Sequence, residues 1–139
     1  MAGNNRAVGG GGFHHVAIRV GDFDRAVSFY VNALGMTQHK AWGKGDSRAV
    51  MLDTGDGSCL ELFAGGTDGP KEGGAILHVA LRSSDVDQAI ARAAAGGAEV
   101  TVEPKDVDIP TLPRPYPVRI AFCRAPDGTI LEFFQERQG

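Results

Sequence analysis

The sequence lacks the features that mark membrane, nucleic-acid-binding and secreted proteins. No apolar run approaches the roughly 20 residues that a membrane-spanning helix requires. A net charge of −3 supplies no basic stripe for phosphates, so we expect no nucleic-acid partner. The N-terminus shows no signal-peptide pattern, and Cys59 and Cys123 match no metal-knuckle spacing. We therefore expect a cytoplasmic protein with two buried, reduced thiols.

The length fits a single domain preceded by a short arm. A chain of 139 residues, 42% hydrophobic and 22% charged, can bury an ordinary globular core. Residues 1–12 carry no periodicity and end in four consecutive glycines. We predict a disordered N-terminal arm over 1–12 and one domain over 13–139.

An internal repeat organises that domain. The segment His15–Val27 recurs as His78–Ile90, and seven of the thirteen compared positions are identical. Each copy also ends on a matching strand sequence, Ser58–Phe63 in the first and Thr129–Phe134 in the second. The repeat predicts one structural module written twice.

Each module, residues 13–64 and 75–136, predicts the element order βαβββ. The fold class is therefore α+β, with two βαβββ modules in tandem forming a curved mixed sheet around a metal-binding cavity. Alternation predicts a first strand over Phe13–Val20, and Asp22 caps a helix that runs to about Leu34. The remaining strands are expected near Met36–Trp42, Arg48–Asp53, Ser58–Phe63, Ala75–Arg82, Ala98–Glu103, Val118–Arg124 and Thr129–Gln135, and the second helix runs from a cap at Ser84 or Asp85 to Gly96.

One stretch breaks the symmetry between the modules. Asp106–Pro117 contains four prolines, and proline cannot donate to a sheet ladder. We predict an extended loop here, which is either a rigid surface connection or a lid over a ligand site.

Histidine and glutamate recur at equivalent positions of the two modules. A glutamate inside an apolar strand is unusual, because burying an unpaired carboxylate costs several kcal/mol. If the first and fourth strands of each module are neighbours, His15 and Glu61 meet in module one, and His78 and Glu132 meet in module two. These four residues are candidate ligands of one divalent metal ion. A solvated or capped histidine is the alternative for each imidazole taken alone.

Two other histidines have no such counterpart. His14 and His39 are not repeated, and we predict that both lie at the surface. Arg19 lies on the same strand face as His15, where a salt-bridged structural role is one interpretation.

These segments resemble the signatures of vicinal-oxygen-chelate proteins over nearly the whole chain, from about Phe13 to Gln135. The resemblance lies in His15–Asp22, Ala26–Tyr30, Leu34–Met36, Leu60–Leu62, His78–Ala80 and Asp127–Phe133. It implies paired βαβββ modules around a divalent metal, a small-molecule substrate and a homodimer.

Within that family the four positions resemble the His, Glu, His, Glu ligand set of glyoxalase I. The resemblance implies that His15, Glu61, His78 and Glu132 bind nickel, cobalt or zinc, with iron or manganese as alternatives. It implies a hemithioacetal substrate, formed from a 2-oxoaldehyde and a thiol, that becomes a 2-hydroxyacyl thioester. Glu132 would carry the proton from C1 to C2, and Glu61 could share this role.

The same resemblance assigns substrate binding to Arg19 and its repeat partner Arg82. Gly65 stands where similar bacterial enzymes carry an asparagine that binds glutathione, so the thiol cosubstrate stays open. Other functions also stay open: an epimerase or an extradiol-type dioxygenase on the same scaffold, or a non-catalytic protein that binds a drug or metabolite.

Overall fold

A computed structural model describes residues 3–33, 35–67, 74, 76–124 and 130–138. The chain divides into two compact units. The module-one unit comprises His15–Leu77 and Pro110–Arg114, and the module-two unit comprises Met1–His14, His78–Ile109 and Pro115–Gly139. Neither described helix is long and apolar enough to cross a membrane.

Module one contains a four-stranded mixed sheet with one helix. Its elements are β1 (Gly10–Arg19), α1 (Phe23–Ser28), a π-helical turn (Phe29–Ala33), β2 (Thr37–Trp42), a 3-10 turn (Gly45–Ser47), β3 (Ala49–Asp53) and β4 (Cys59–Phe63). The strand order is β2-β3-β4-β1, in which β1 and β4 are parallel and the other pairs antiparallel. The first helix starts where predicted, because the Asp22 side chain accepts a hydrogen bond from the Arg25 amide at 3.1 Å. It changes to π-helical geometry before the predicted end, and Leu34 lies outside the described residues.

The core of module one lies between α1 and one face of its sheet. Phe23 packs there with Val50, Leu52 and Leu62, and Ile18 of β1 joins them. Each such aliphatic or aromatic side chain contributes about 1.5–3 kcal/mol when it is fully buried. Ile18 lies on the face of β1 opposite to His15 and Arg19, so the apolar face of this strand packs against the helix and the other face carries the histidine.

Module two repeats this plan. Its elements are β5 (Ile76–Ser83), α2 (Val86–Ala95), β6 (Glu99–Ile109), β7 (Tyr116–Arg124) and β8 (Ile130–Glu136), with the strand order β5-β8-β7-β6. Of the two predicted caps, Asp85 is the residue that accepts from the Gln88 amide, at 3.0 Å. The α+β class with two βαβββ modules is confirmed. The turn predicted at residues 125–128 lies outside the described residues.

The N-terminal arm is ordered from Gly3 onwards, so the prediction of disorder is wrong for the described part of the arm. Arg6–Val8 form a 3-10 turn, and β1 already begins at Gly10. The Gly9 carbonyl accepts hydrogen bonds from the amide and hydroxyl of Ser84, both at 2.8 Å. A Cβ at Gly9 would lie 2.9 Å from the Asp85 amide nitrogen. Glycine is therefore required here for close approach to the start of α2.

The loop in the proline-rich stretch is shorter than predicted. Asp106–Ile109 continue β6, and Pro117 pairs with Asp108 inside β7. The prediction was wrong for these flanks, since Pro117 is already the second residue of its strand. The loop between the strands is limited to residues 110–115.

The two cysteines agree with the prediction. Cys59 and Cys123 are both buried and form no disulfide. Burial raises the pKa of the Cys123 thiol, which keeps that side chain in its neutral, unreactive form.

Candidate metal centre

In module one, a histidine and a glutamate meet on adjacent parallel strands. Ala17 of β1 lies opposite Glu61 of β4, and His15 precedes Ala17 by two residues, which places its side chain on the same face. His15 Nε2 lies 3.2 Å from Glu61 Oε1. Only 1% of His15 and 4% of Glu61 are exposed, so these two polar side chains contact each other where solvent has almost no access.

Module two repeats this arrangement. Ala80 of β5 lies opposite Glu132 of β8, and His78 precedes Ala80 by two residues. His78 Nε2 lies 3.2 Å from Glu132 Oε1. Phe122, the neighbour of Glu132 on β7, contacts the His78 ring edge-on, with the ring centroids 5.5 Å apart and the planes at 89°. The aromatic ring restricts the orientation of this imidazole.

The two pairs therefore have the same register and the same separation. Ala17 and Ala80 are both fully buried, and their small side chains leave the space into which the diagonal histidine reaches. A shift of one residue in either strand pair would turn that strand's side chains to the other face of the sheet. The same pairing register must therefore hold in both modules for each histidine to meet its glutamate.

The donor atoms of each pair fit a divalent metal ion. Imidazole nitrogen and carboxylate oxygen are ligands that zinc, nickel, cobalt, iron and manganese accept. Two donors bound at right angles, each about 2.1 Å from an ion, are separated by about 3.0 Å. The observed separation of 3.2 Å in each pair is close to this value.

Arg19 lies on the histidine face of β1, beside the end of β4. Its Nη1 donates to the carbonyl of Ala64 at 2.9 Å, and its guanidinium lies 5.8 Å from the ring centroid of Phe63. A Cβ at Gly65, whose φ is +85°, would lie 3.7 Å from this Nη1. Any side chain at position 65 would therefore contact the arginine predicted to bind substrate. Arg82 of β5 lies opposite Phe134 of β8.

His14 is buried, so its predicted surface location is wrong. Only 4% of the residue is exposed, and its Nε2 lies 3.1 Å from the Tyr116 hydroxyl. Its ring stacks on Phe134 with centroids 3.9 Å apart, and the Glu136 carboxylate lies 4.0 Å from Nε2. The partner Tyr116 lies in the stretch that its prolines marked as a loop, which concealed this contact in the sequence. His39 is exposed, as predicted.

Among the described residues, the carboxyl groups with a lowered pKa lie on the surface, away from the histidine–glutamate pairs. Hydrogen bonds from Arg48 lower the pKa of Asp24, and hydrogen bonds from Arg119 lower the pKa of Asp87. These two ion pairs stabilise contacts of α1 and α2 with their sheets.

Comparisons with known proteins add a family and several relatives. The family model described as Glyoxalase/Bleomycin resistance protein/Dioxygenase superfamily matches residues 12–133. A probable lactoylglutathione lyase of Vibrio cholerae is 28% identical over 130 residues, covering 89% of this chain and 90% of that protein. A lactoylglutathione lyase of Neisseria meningitidis serogroup B is 30% identical over 131 residues, covering 90% and 91%.

Among solved structures, the methylmalonyl-CoA epimerase from Mycobacterium tuberculosis superposes with a TM-score of 0.72. It is 23% identical, and the match covers 95% of this chain and 91% of that chain. At this level of identity the likeness shows a shared fold.

Proposed function

Because the chain belongs to the Glyoxalase/Bleomycin resistance protein/Dioxygenase superfamily, we propose that it is a metal-dependent enzyme of the glyoxalase I type. Its substrate would be the hemithioacetal of a 2-oxoaldehyde and a thiol, and its product a 2-hydroxyacyl thioester. The observation that carries the proposal is the histidine–glutamate pair, which recurs in both modules with the same 3.2 Å separation. His15, Glu61 and Glu132 are buried, and the His78 side chain is 14% exposed. The relatives named lactoylglutathione lyase support the activity.

His15, Glu61, His78 and Glu132 would together hold one divalent ion, with nickel, cobalt or zinc preferred over iron or manganese. A bound ion supplies Lewis-acid polarisation of the substrate oxygens. Both histidines must be neutral to act as ligands, so acid weakens metal binding.

Glu132 would act as the general base. Its carboxylate removes the proton from C1 of the substrate and returns a proton to C2, so the reaction moves hydrogen without net oxidation. Glu132 is only 5% exposed, which limits exchange of that proton with water. Glu61 would share the transfer, because it occupies the equivalent position of the other module.

The remaining residues of the proposed site bind and admit the substrate. The arginines Arg19 and Arg82 would bind a carboxylate of the thiol cosubstrate, since a guanidinium forms paired hydrogen bonds with carboxylates. Ala17 and Ala80 leave room beside the two glutamates.

The epimerase fold match supports a second candidate. Epimerisation beside a thioester carbonyl also needs a carboxylate that moves a proton, and the solved epimerase shares this fold. A carboxylate stands at both equivalent positions, Glu61 and Glu132, which agrees with the His, Glu, His, Glu set and favours the glyoxalase reaction.

Metal reconstitution decides between these activities. Protein stripped with a chelator is loaded separately with nickel, cobalt, zinc, manganese or ferrous iron, and then supplied with methylglyoxal plus glutathione or with methylmalonyl-CoA. We expect thioester formation that one or two metals restore, and loss of that activity in Glu132→Gln. Glu103→Gln, at an exposed position of β6, is the matched control. Inactivity on methylglyoxal with every metal would disprove the glyoxalase assignment.

We further propose a cytoplasmic homodimer as the working form. Light scattering coupled to size exclusion would show a mass of twice the monomer, and a monomer at working concentrations would contradict it.

A further inference from the structure

Module one contains a cavity that the proposed chemistry does not use. It has a volume of about 480 Å³, within the usual range for small-molecule sites, and all of its lining residues belong to the module-one unit. Phe23, Val27 and Val31 form its helical wall, and Val50 forms part of its floor.

The cavity opens on the sheet face away from Glu61. Met51 lies opposite Glu61 in the pairing of β3 and β4, whereas Val50 lies opposite Leu62, which packs beneath α1. Consecutive strand residues point to opposite faces, so Val50 and Glu61 are on different sides of the module-one sheet. A ligand in this cavity would therefore not approach the histidine–glutamate pair from the same side.

The charged residues at the cavity neutralise each other. Arg48 donates from both terminal nitrogens to the Asp24 carboxylate, at 2.6 and 3.3 Å, and its guanidinium carbon lies 4.4 Å from the ring centroid of Phe23. The pair therefore leaves the lining residues of the cavity without net charge. An ion entering the cavity would lose hydration without gaining a counter-ion.

The helical wall and rim carry further features of a binding site. The wall changes to π-helical geometry at Phe29–Ala33, a rare local form that often occurs at functional sites, and Asn32 of this turn lines the cavity beside Gln38. At the rim, the Leu112 amide donates to the Ala41 carbonyl at 3.1 Å, which fixes the proline-rich loop to β2. The Leu112 side chain remains 77% exposed at this edge.

We propose that this cavity binds an uncharged small molecule with an aromatic or aliphatic body and one amide or hydroxyl group. The valines and Phe23 would cover the apolar body. The Gln38 side-chain amide and the Asn32 amide oxygen would meet the polar group, since Asn32 Nδ2 already donates to the Ser28 hydroxyl at 2.9 Å. Leu112 would close over the ligand from the rim. The proposal does not depend on the metal centre or on the reaction assigned to it.

Three small probes that share a phenyl ring and differ in charge test the charge class directly. Benzamide, benzoate and benzylammonium are titrated into protein whose valine and leucine methyl groups are labelled with ¹³C. We expect saturable shifts of the Val27, Val31, Val50 and Leu112 methyls with benzamide, and binding of the two ions weaker by about tenfold or more. Preferred binding of benzoate or benzylammonium would overturn the assignment, as would the lack of saturable shifts with any probe.

Variants at the rim and mouth test the location. Ser28 lines the cavity and is exposed, so Ser28→Tyr should obstruct the mouth and weaken benzamide binding about tenfold. Leu112→Ser should weaken it less, and Ile76→Ser, a control at a 63% exposed apolar residue of β5 that does not line the cavity, should leave it unchanged. If the cavity is instead an interface with a second copy, the methyl shifts will depend on protein concentration without any probe, and the proposal fails. The wild-type probe series decides the question even if a variant does not fold.

Discussion

Ala17 lies directly opposite Glu61 in the parallel pairing of β1 and β4, and it is completely buried. The residue beside this carboxylate is thus a small one with no access to solvent. The small side chain of Ala17 therefore helps to set the position of the Glu61 carboxylate.

Ala17→Val should therefore damage the candidate site while leaving the fold intact. Adding methyl groups to a packed position costs about 1–3 kcal/mol of unfolding free energy, and here the strain falls beside Glu61. We expect a lower denaturation midpoint and weaker divalent-metal binding by calorimetry. Ala91→Val, on an exposed position of α2, should change stability only slightly and metal affinity not at all. Unchanged metal affinity in Ala17→Val would show that this position does not support the ligand.

Glu132→Gln should remove the proposed base while preserving the size of the side chain. Loss of a general base lowers the turnover rate by about 10²–10⁴-fold. Stopped-flow measurement of thioester formation, at equal metal occupancy, gives the comparison. Glu61→Gln should have a smaller effect on turnover, because Glu61 is proposed to share the transfer rather than to carry it. Equal losses in the two variants would instead support a symmetric pair of bases.

Tyr116→Phe should destabilise the protein through His14. The substitution deletes the hydroxyl group 3.1 Å from the Nε2 of a histidine that is only 4% exposed. A buried polar group that loses a hydrogen-bond partner costs about 1–3 kcal/mol. Urea unfolding of the two proteins measures the difference. Tyr30→Phe is the control, and a Tyr116 variant as stable as wild type would mean that the hydroxyl bond contributes nothing net.

Asp87→Asn should change how stability depends on pH. Arg119 donates to both carboxylate oxygens of Asp87 at 2.8 Å and lowers its pKa. A carboxyl group with a lowered folded-state pKa stabilises the protein above its unfolded pKa of about 3.9, and this contribution is lost as the pH falls through the folded-state value.

Thermal unfolding between neutral pH and about pH 3 tests this expectation. The variant should melt below wild type at neutral pH, and the difference should shrink as the solution becomes more acidic than about pH 4. Glu103→Gln, with the same charge change on β6, should show no comparable trend. A difference that grows in acid would contradict the assigned sign.

The sequence predicted most of the fold because each helix and strand of the repeat could be predicted from two copies of its sequence. The strand faces, the cap at Asp22 and the placement of glutamate on each fourth strand all followed from periodicity and from matching positions. The helix change after Ser28 could not be predicted, since no residue there marks a π-helical turn.

Two predictions, the disordered arm and the long proline-rich loop, failed for the same physical reason. Glycine was interpreted only by its conformational freedom, and proline only by its missing backbone N–H donor. Gly9 is constrained by its approach to α2, and Pro117 lies inside β7, where it pairs with Asp108 of β6. Both depend on contacts between residues far apart in the sequence. For the same reason the partner of His14 could not be identified without the structure.

The equal registers of the two strand pairs carry an evolutionary consequence. A half-length precursor, folded as one βαβββ unit, would already display one imidazole beside one carboxylate. Expressing the halves as separate chains and testing whether they reassemble with metal would probe that ancestry.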